Sequence, residues 1–258
     1  MDAVAQFADL VADPDVPLDR AALALAAGAD PALRPTRWLA ELDRLAAGVG
    51  SLDELVHRLF VEEGFTGNGR DYYDPRNSLL PHVLTRRLGI PITLAVVTME
   101  VGRRAGIALE GVGMPGHFLV RVAGSGTHLD VFAGGVTLSL AECEARFRAA
   151  SGVGADVPFG PHLLTAAPTR SILVRMLENL RGIYRVQRRP TDLEWVLRMR
   201  LALPGAGQGE LLELAEALGD QARWHDGAQL LEEHLPNATP AQANQLRTAA
   251  HALRAHLN

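Results

Sequence analysis

From residue 17 to 63 apolar side chains return every three to four positions, the period that gathers them on one face of a helix. Asp30-Pro31 and Pro35 interrupt the first part of this stretch. Trp38, Leu42 and Leu45 then continue across Gly48 and Gly50 into Leu52, Leu55, Val56 and Leu59. Ser51 stands where an N-cap is needed, Glu54 three residues later completes a capping box, and Gly64 closes the segment. Residues 64 to 76 lose the periodicity. Gly, Asn, Asp and the pair Tyr72-Tyr73 give them the composition of an ordered loop. Asn77 or Ser78 is expected to cap a short helix ending near Gly89. A second helix starts at Pro91, whose missing N–H costs nothing at the first helical position, and runs to about Ala105. Ile92, Ala95, Val96, Met99 and Gly102 share one of its faces, and Gly106 is placed for its C-terminal cap.

At Ile107 the pattern changes to short β-like runs, 107–112, 117–123, 128–132 and 136–138. Gly124-Ser125-Gly126 turns between the second and the third, so the runs predict an antiparallel meander. Helical periodicity returns after Leu138. Pro158, Pro161 and Pro168 then mark a connector before an amphipathic segment from Thr169 to Arg189. The division into domains is expected there, 1–165 and 166–258. The last stretch reads as entirely helical. Leu201-Ala202-Leu203-Pro204 is echoed by Glu233-His234-Leu235-Pro236, and Leu218-Gly219, Trp224, Gly227-Ala228 and Leu231 between them resemble one tetratricopeptide-type unit. A lone unit has no neighbour of its own kind to stack on, so plain packed helices explain the pattern as well.

At 258 residues and 48% hydrophobic, the chain can bury a substantial core. Net charge is −5 with no Lys, all 25 basic residues being Arg, which gives no global footprint for nucleic acid or an anionic membrane. Asp2, Asp9 and Asp13 with no basic residue before Pro14 do not make a secretory signal, and no apolar run reaches the roughly 20 residues of a spanning helix. A cytoplasmic protein is expected. Its one cysteine, Cys143, can form no internal disulfide and no thiolate-rich metal site. The run Arg181, Arg185, Arg188 and Arg189 reads as a solvated helix face or a surface for an acidic partner.

The chemistry gathers in the strands. His117 follows Pro115-Gly116, and Asp130 lies in the next run. If the two runs pair through the glycine turn, the carboxylate can meet the imidazole, the base and orienter half of a nucleophilic triad. His117, His128 and Asp130 also make a zinc alternative, weakened by the absence of a close His pair on a helix.

Five blocks in order carry a resemblance: Gly64-Phe65-x-Gly67-Asn68; Tyr72-Tyr73-Asp74-Pro75-x-Asn77-Ser78; Arg86-Arg87-x-Gly89-Ile90-Pro91-Ile92-Thr93-Leu94; Pro115-Gly116-His117-Phe118; and Asp130-x-Phe132-x-Gly134-Gly135. Over roughly residues 35 to 235 the chain resembles the bacterial SirB-type proteins, which carry a transglutaminase-like core often followed by tetratricopeptide-like helices. The resemblance implies an α+β, papain-like fold with an antiparallel sheet and a helical C-terminal region. It also implies a catalytic set in which His117 is base and Asp130 orienter, while the nucleophile's position, at the start of a helix, is held by Pro91. Free N–H groups and the dipole at a helix N-terminus stabilise a thiolate, but Pro91 has neither a nucleophile nor an N–H. Thr93 and Ser78 are the hydroxyls that could stand in. Cys143 lies between Glu142 and Glu144, which raise rather than lower a thiol pKa.

Asn68, Tyr72, Tyr73, Asp74, Asn77, Ser78 and Thr93 are the candidate binding residues, either one wall of a peptide-sized cleft or a loop pinned by its own hydrogen bonds. The expectation is a recognition module for a protein or peptide partner, with the C-terminal helices as a further partner surface. No cofactor, resident metal, nucleic acid or membrane is expected. The alternative is an amide-bond hydrolase or transferase in which a His117-Asp130 dyad activates water or a hydroxyl.

Overall fold

In the computed structural model, which describes residues 2–154 and 156–257, the helical periods and β-like runs become the following elements in chain order. They are α1 (Ala3–Ala12), α2 (Leu18–Ala27), α3 (Pro35–Ala46), α4 (Leu52–Val56), β1 (Thr66–Gly67), α5 (Leu80–Arg86), β2 (Leu88–Gly89) and α6 (Pro91–Arg104). Then follow the strands β3 (Leu109–Val112), β4 (Leu119–Val122), β5 (His128–Asp130) and β6 (Val136–Leu138). The chain closes with α7 (Leu140–Ser151), α8 (Thr169–Val186), α9 (Pro190–Leu201), α10 (Gln208–Gly219), α11 (Trp224–Glu233) and α12 (Pro240–Ala255).

Cap chemistry explains several boundaries. Ser51 accepts from the N–H of Glu54 at 3.2 Å, and the Glu54 carboxylate takes the N–H of Gly50 rather than that of the cap itself. After α4 the backbone opens to a π-helical turn at His57–Glu62 before Gly64 turns it with φ +70°. Neither Asn77 nor Ser78 caps the next helix. Both lie in a 3-10 turn, Pro75–Ser78, and α5 starts from Leu79 without a side-chain cap. That helix ends at Arg86, earlier than its apolar pattern implied, because Arg87 takes the left-handed conformation (φ 58°). There its guanidinium reaches Glu41 and Glu63, which tie the chain to α3 and the end of the π turn.

The start of α6 at Pro91 is as expected, but its single apolar face is not. Every residue from Pro91 to Gly102 is buried, so α6 is a central core helix. Gly102 allows β3 to close on it, since a Cβ there would stand 2.7 Å from a Leu109 methyl carbon. The strands form one antiparallel sheet in the order β3-β4-β5-β6, the expected meander; β3, β4 and β5 are shorter than their runs of β-forming residues, and β6 matches its run. A second, parallel pair joins β1 to β2, and the N–H of Asn68 donates to the carbonyl of Gly89 at 2.9 Å. Behind the large sheet Val112, Met114, Leu119, Leu138, Cys143, Phe147 and Leu164 form a buried cluster.

Two compact units divide the chain. One is Asp15–Met176, and the other combines the residues through Pro14 with those from Leu177 onward. The division falls inside α8, beyond the proline-marked connector at which composition changes, because the helix runs on without a break. In the helical unit α1 packs on α9, and α9 to α12 pack each on the next. Leu211, Ala215, Ala228, Leu231, Leu246 and Ala250 fill its core. Gly227 permits a close helix crossing, as a Cβ would lie 2.8 Å from the carbonyl oxygen of Ala215. The arginine run is not one solvated face: Arg181 is paired to Glu178, Glu210 and Glu213, and Arg189 to Asp192. Arg185 and Arg188 are exposed. Among the described residues no helix is long and apolar enough to cross a membrane.

Candidate functional site

Register brings the imidazole and the carboxylate together. Val120 faces Leu129 and Arg121 faces His128 across β4 and β5. Continued by one pair, that register sets Leu119 opposite Asp130, with His117 diagonal to it on the same face of the sheet. His117 itself precedes β4, in a turn where Gly116 has φ +76° and the His117 N–H donates to the carbonyl of Met114 at 3.1 Å. Its Nε2 lies 3.1 Å from Oδ1 of Asp130. This atom is buried and off the line of a well-directed hydrogen bond, so the contact is a close electrostatic pairing.

Asp130 is the better-anchored partner. Its Oδ1 accepts from the N–H groups of Phe132 and Ala133 at 3.1 Å each, and its Oδ2 lies 3.1 Å from Nε of Arg146. Burial pushes its carboxyl upward, but His117, the Ala133 N–H and the Arg146 charge outweigh burial and hold it below the usual carboxylate range. Arg175 fixes the other side of the histidine backbone, donating to the carbonyls of Met114 at 3.1 Å and His117 at 3.0 Å while its guanidinium covers the ring of Phe118.

An aromatic row extends from the dyad. Phe132 meets the His117 ring edge-to-face, with centroids 6.4 Å apart, and meets Tyr72 at 6.1 Å; Tyr72 in turn meets Tyr73 at 5.3 Å. Tyr73 is 72% exposed and Tyr72 38%. Burial raises the Tyr72 phenol pKa, against the opposing charge of Arg175. Gly67 makes room for this row, because a Cβ at that position would stand 2.5 Å from the Phe132 ring.

The remaining candidate binding residues are buried. Asn68 donates to Oδ1 of Asn77 at 3.1 Å, and Asn77 donates to the carbonyls of Asp71 and Tyr72 at 2.7 and 3.2 Å, so the two amides hold the tyrosine loop from beneath. Asp74 is bound by Arg76 and Arg86. The Thr93 hydroxyl donates to the carbonyl of Asn77 at 2.6 Å and accepts the N–H of Ile90 at 3.1 Å, locking the loop to the first turn of α6. The Ser78 hydroxyl is buried and has no hydrogen-bond partner among the described residues. Pro91 is buried at the first position of α6.

Cys143 is fully buried, and burial above all, then Glu142 and Asp130, pushes its thiol up. His128 turns Nδ1 onto the carbonyl of Gly126 at 3.0 Å, and burial lowers its pKa. Among the described residues no three His, Cys, Asp or Glu side chains gather as a metal ion would require. Three contributors escaped the sequence reading. Phe132 stood within a quoted block without a role, while Arg146 and Arg175 lie in helices 16 and 58 positions from their partners and left no local signal.

The family model described as transglutaminase-like superfamily matches residues 23–178, more than half of the chain and all of the elements that build this site. The chain belongs to the transglutaminase-like superfamily. Its core is the transglutaminase-like α+β arrangement with a small antiparallel sheet, followed by a helical C-terminal region. It is 48% identical over 131 residues to a UPF0162 protein of Xylella fastidiosa, a match covering 49% of this chain and 46% of that protein. A UPF0162 protein of Pseudomonas aeruginosa is 37% identical over 186 residues, 68% of each chain. The match to F-box only protein 21 of Mus musculus is 38% identical over 103 residues, 36% of this chain and 16% of that protein. The chain therefore spans about half the length of its Xylella relative. No solved structure gives a significant match.

Proposed function

We propose that this transglutaminase-like protein recognises a protein or peptide segment beside His117 and Asp130 and carries out no thiol chemistry. The observation that carries the reading is Pro91 at the first position of α6, the place the resemblance gives to the nucleophile. The substitutes are spent or unsuited. Thr93 is committed to Asn77 and Ile90, Ser78 is buried, and the Cys143 thiol is raised and buried. In their place the exposed tyrosines offer rigid contact area of the kind that anchors a partner. The C-terminal helices, read as tetratricopeptide-like in the SirB-type manner, add a second partner surface.

The pairing of Nε2 with Asp130 favours one other reading, amide hydrolysis by water that His117 activates, worth about 10²- to 10⁴-fold. Selection of displayed peptides on the purified protein separates the two. Recognition predicts peptides that bind the wild type, lose about tenfold or more in affinity with Tyr73→Ala, and stay intact on mass spectrometry. Equal affinity for the Tyr73→Ala protein removes this site from recognition, and cleavage that His117→Ala abolishes replaces recognition with hydrolysis.

A further inference from the structure

Arg175 brings a cation to the edge of the His117 site with no anion to balance it. Ile172, Leu173 and Met176 around it are buried and seat this part of α8 in the core, which leaves the Arg175 side chain half-buried. Its Nη1 and Nη2 donate to the carbonyls of Met114 and His117, and its guanidinium lies 5.4 Å from the centroid of the Phe118 ring. Both acceptors are neutral. Among the described residues Arg175 makes no other hydrogen bond and no ion pair, so most of its N–H donors are unused.

The charges around it are already engaged elsewhere. Arg146 pairs with Asp130, and Asp74, the buried carboxylate of the tyrosine loop, is held by Arg76 and Arg86. Burial pulls the Arg175 guanidinium pKa down, and what opposes burial is the Tyr72 phenol, with no carboxylate. Tyr72 feels the Arg175 charge in return, so the two are neighbours. Tyr72, His117, Phe118 and Arg175 all belong to the unit Asp15–Met176. A clamp on two carbonyls needs N–H groups and not a charge, whereas a cation held partly out of water is unfavourable until an anion reaches it.

We propose that Arg175 is the carboxylate-binding residue of this site and that the segment recognised beside His117 is acidic. Its carboxylate accepts from the unused N–H groups of the guanidinium, while Tyr72 and Tyr73 cover the neighbouring residues of the segment. The inference deepens the recognition reading of the proposed function and rests on it. An Asp or Glu side chain and a free chain terminus present the same pair of oxygens, and the test separates these two sources.

The probes are three acetylated hexapeptide pools, mixed over uncharged residues except at the third position. One has Glu there and a C-terminal amide, one Gln and an amide, and one Gln and a free C-terminal carboxylate. Binding is read by ¹⁵N NMR from the Arg175 Nε–Hε signal and the Tyr73 amide. An acid pool is expected to shift both signals and to half-saturate at least ~5-fold below the Gln amide pool, with that ratio shrinking as salt is added. Whichever acid pool shows the advantage names the source of the carboxylate. Arg175→Gln, which keeps an N–H donor for the carbonyls, should bring the ratio to about one, and Arg175→Lys should retain part of it. If Arg175→Gln fails to fold, the wild-type ratio and its salt dependence decide. A Tyr73 amide that shifts equally with acid and amide pools, or an acid advantage that survives in Arg175→Gln, would overturn this inference alone. Pools that leave the Tyr73 amide unmoved would remove recognition from this site and the inference with it.

Discussion

Asp130 shows how far a single buried carboxylate organises its surroundings. It receives two backbone N–H groups, an imidazole and a guanidinium, each at 3.1 Å. Replacing it with Asn keeps the shape and removes the charge, so Asp130→Asn is expected to lose roughly 2–3 kcal/mol of stability at neutral pH in urea unfolding. The pH dependence has a definite sign. The carboxyl titrates lower in the folded protein than the value near 3.9 of an unfolded chain. Its contribution is therefore complete above that value and is lost as pH falls through the folded one. The stability gap between wild type and Asp130→Asn should persist from pH 7 to 5 and close in stronger acid; a gap that widened in acid would contradict the assignment. The pairing of residue types in His117 and Asp130 was legible in the sequence because a glycine turn separates their runs. Arg146 was not, since only the packing of α7 brings it to Asp130.

Among the elements, α6 combines two roles that its sequence only partly separates. A helix apolar on nearly every side serves as the core on which the sheet rests, and its first turn is also the place the family resemblance gives to a nucleophile. The N-terminus of a helix lowers a thiol pKa whether or not evolution has placed a thiol there. Pro91→Cys is accordingly expected to yield a thiol that titrates below the ordinary value near 8.5, followed as the pH dependence of iodoacetamide alkylation, and to lose reactivity when His117→Ala is added. Cys143, fully buried, serves as the silent internal reference. An ordinary thiol indifferent to His117 would show that Pro91 does not occupy the slot. The tyrosine loop was recognisable as ordered from its Asn, Asp and Gly content. That Asn68, Asn77 and Thr93 hold it from inside while Tyr72 and Tyr73 face solvent depends on burial, which loop composition does not encode.

For the whole molecule, the main departure from sequence order is the grouping of α1 with the C-terminal helices. Phe7 is completely buried in that unit, with Val11 one turn further on also buried. Phe7→Ala should therefore destabilise the helical unit by about 3–5 kcal/mol and lower hydrogen-exchange protection in α9, the helix on which α1 packs. Unchanged protection there would argue against the grouping. The lysine-free composition also matters at this scale, because the chain has no side-chain ε-amine to act as an acceptor in amide cross-linking.

The sequence alone determined the character and order of the elements: helices, the Gly- and Asn-rich loop, the start of α6 at Pro91, a four-strand meander, then helices. Those features follow from local periodicity, caps and turn residues, which act over a few positions. It also supplied His117 and Asp130 as a pair, through strands joined by a short turn. Tertiary structure decided the rest. Strand lengths, the burial of α6 on all sides, the anchoring of Asp130 by Arg146, the aromatic row through Phe132 and the partnership of α1 with α9 all depend on contacts between distant segments. Such contacts are selected by shape and charge in the packed state and leave no period in the chain.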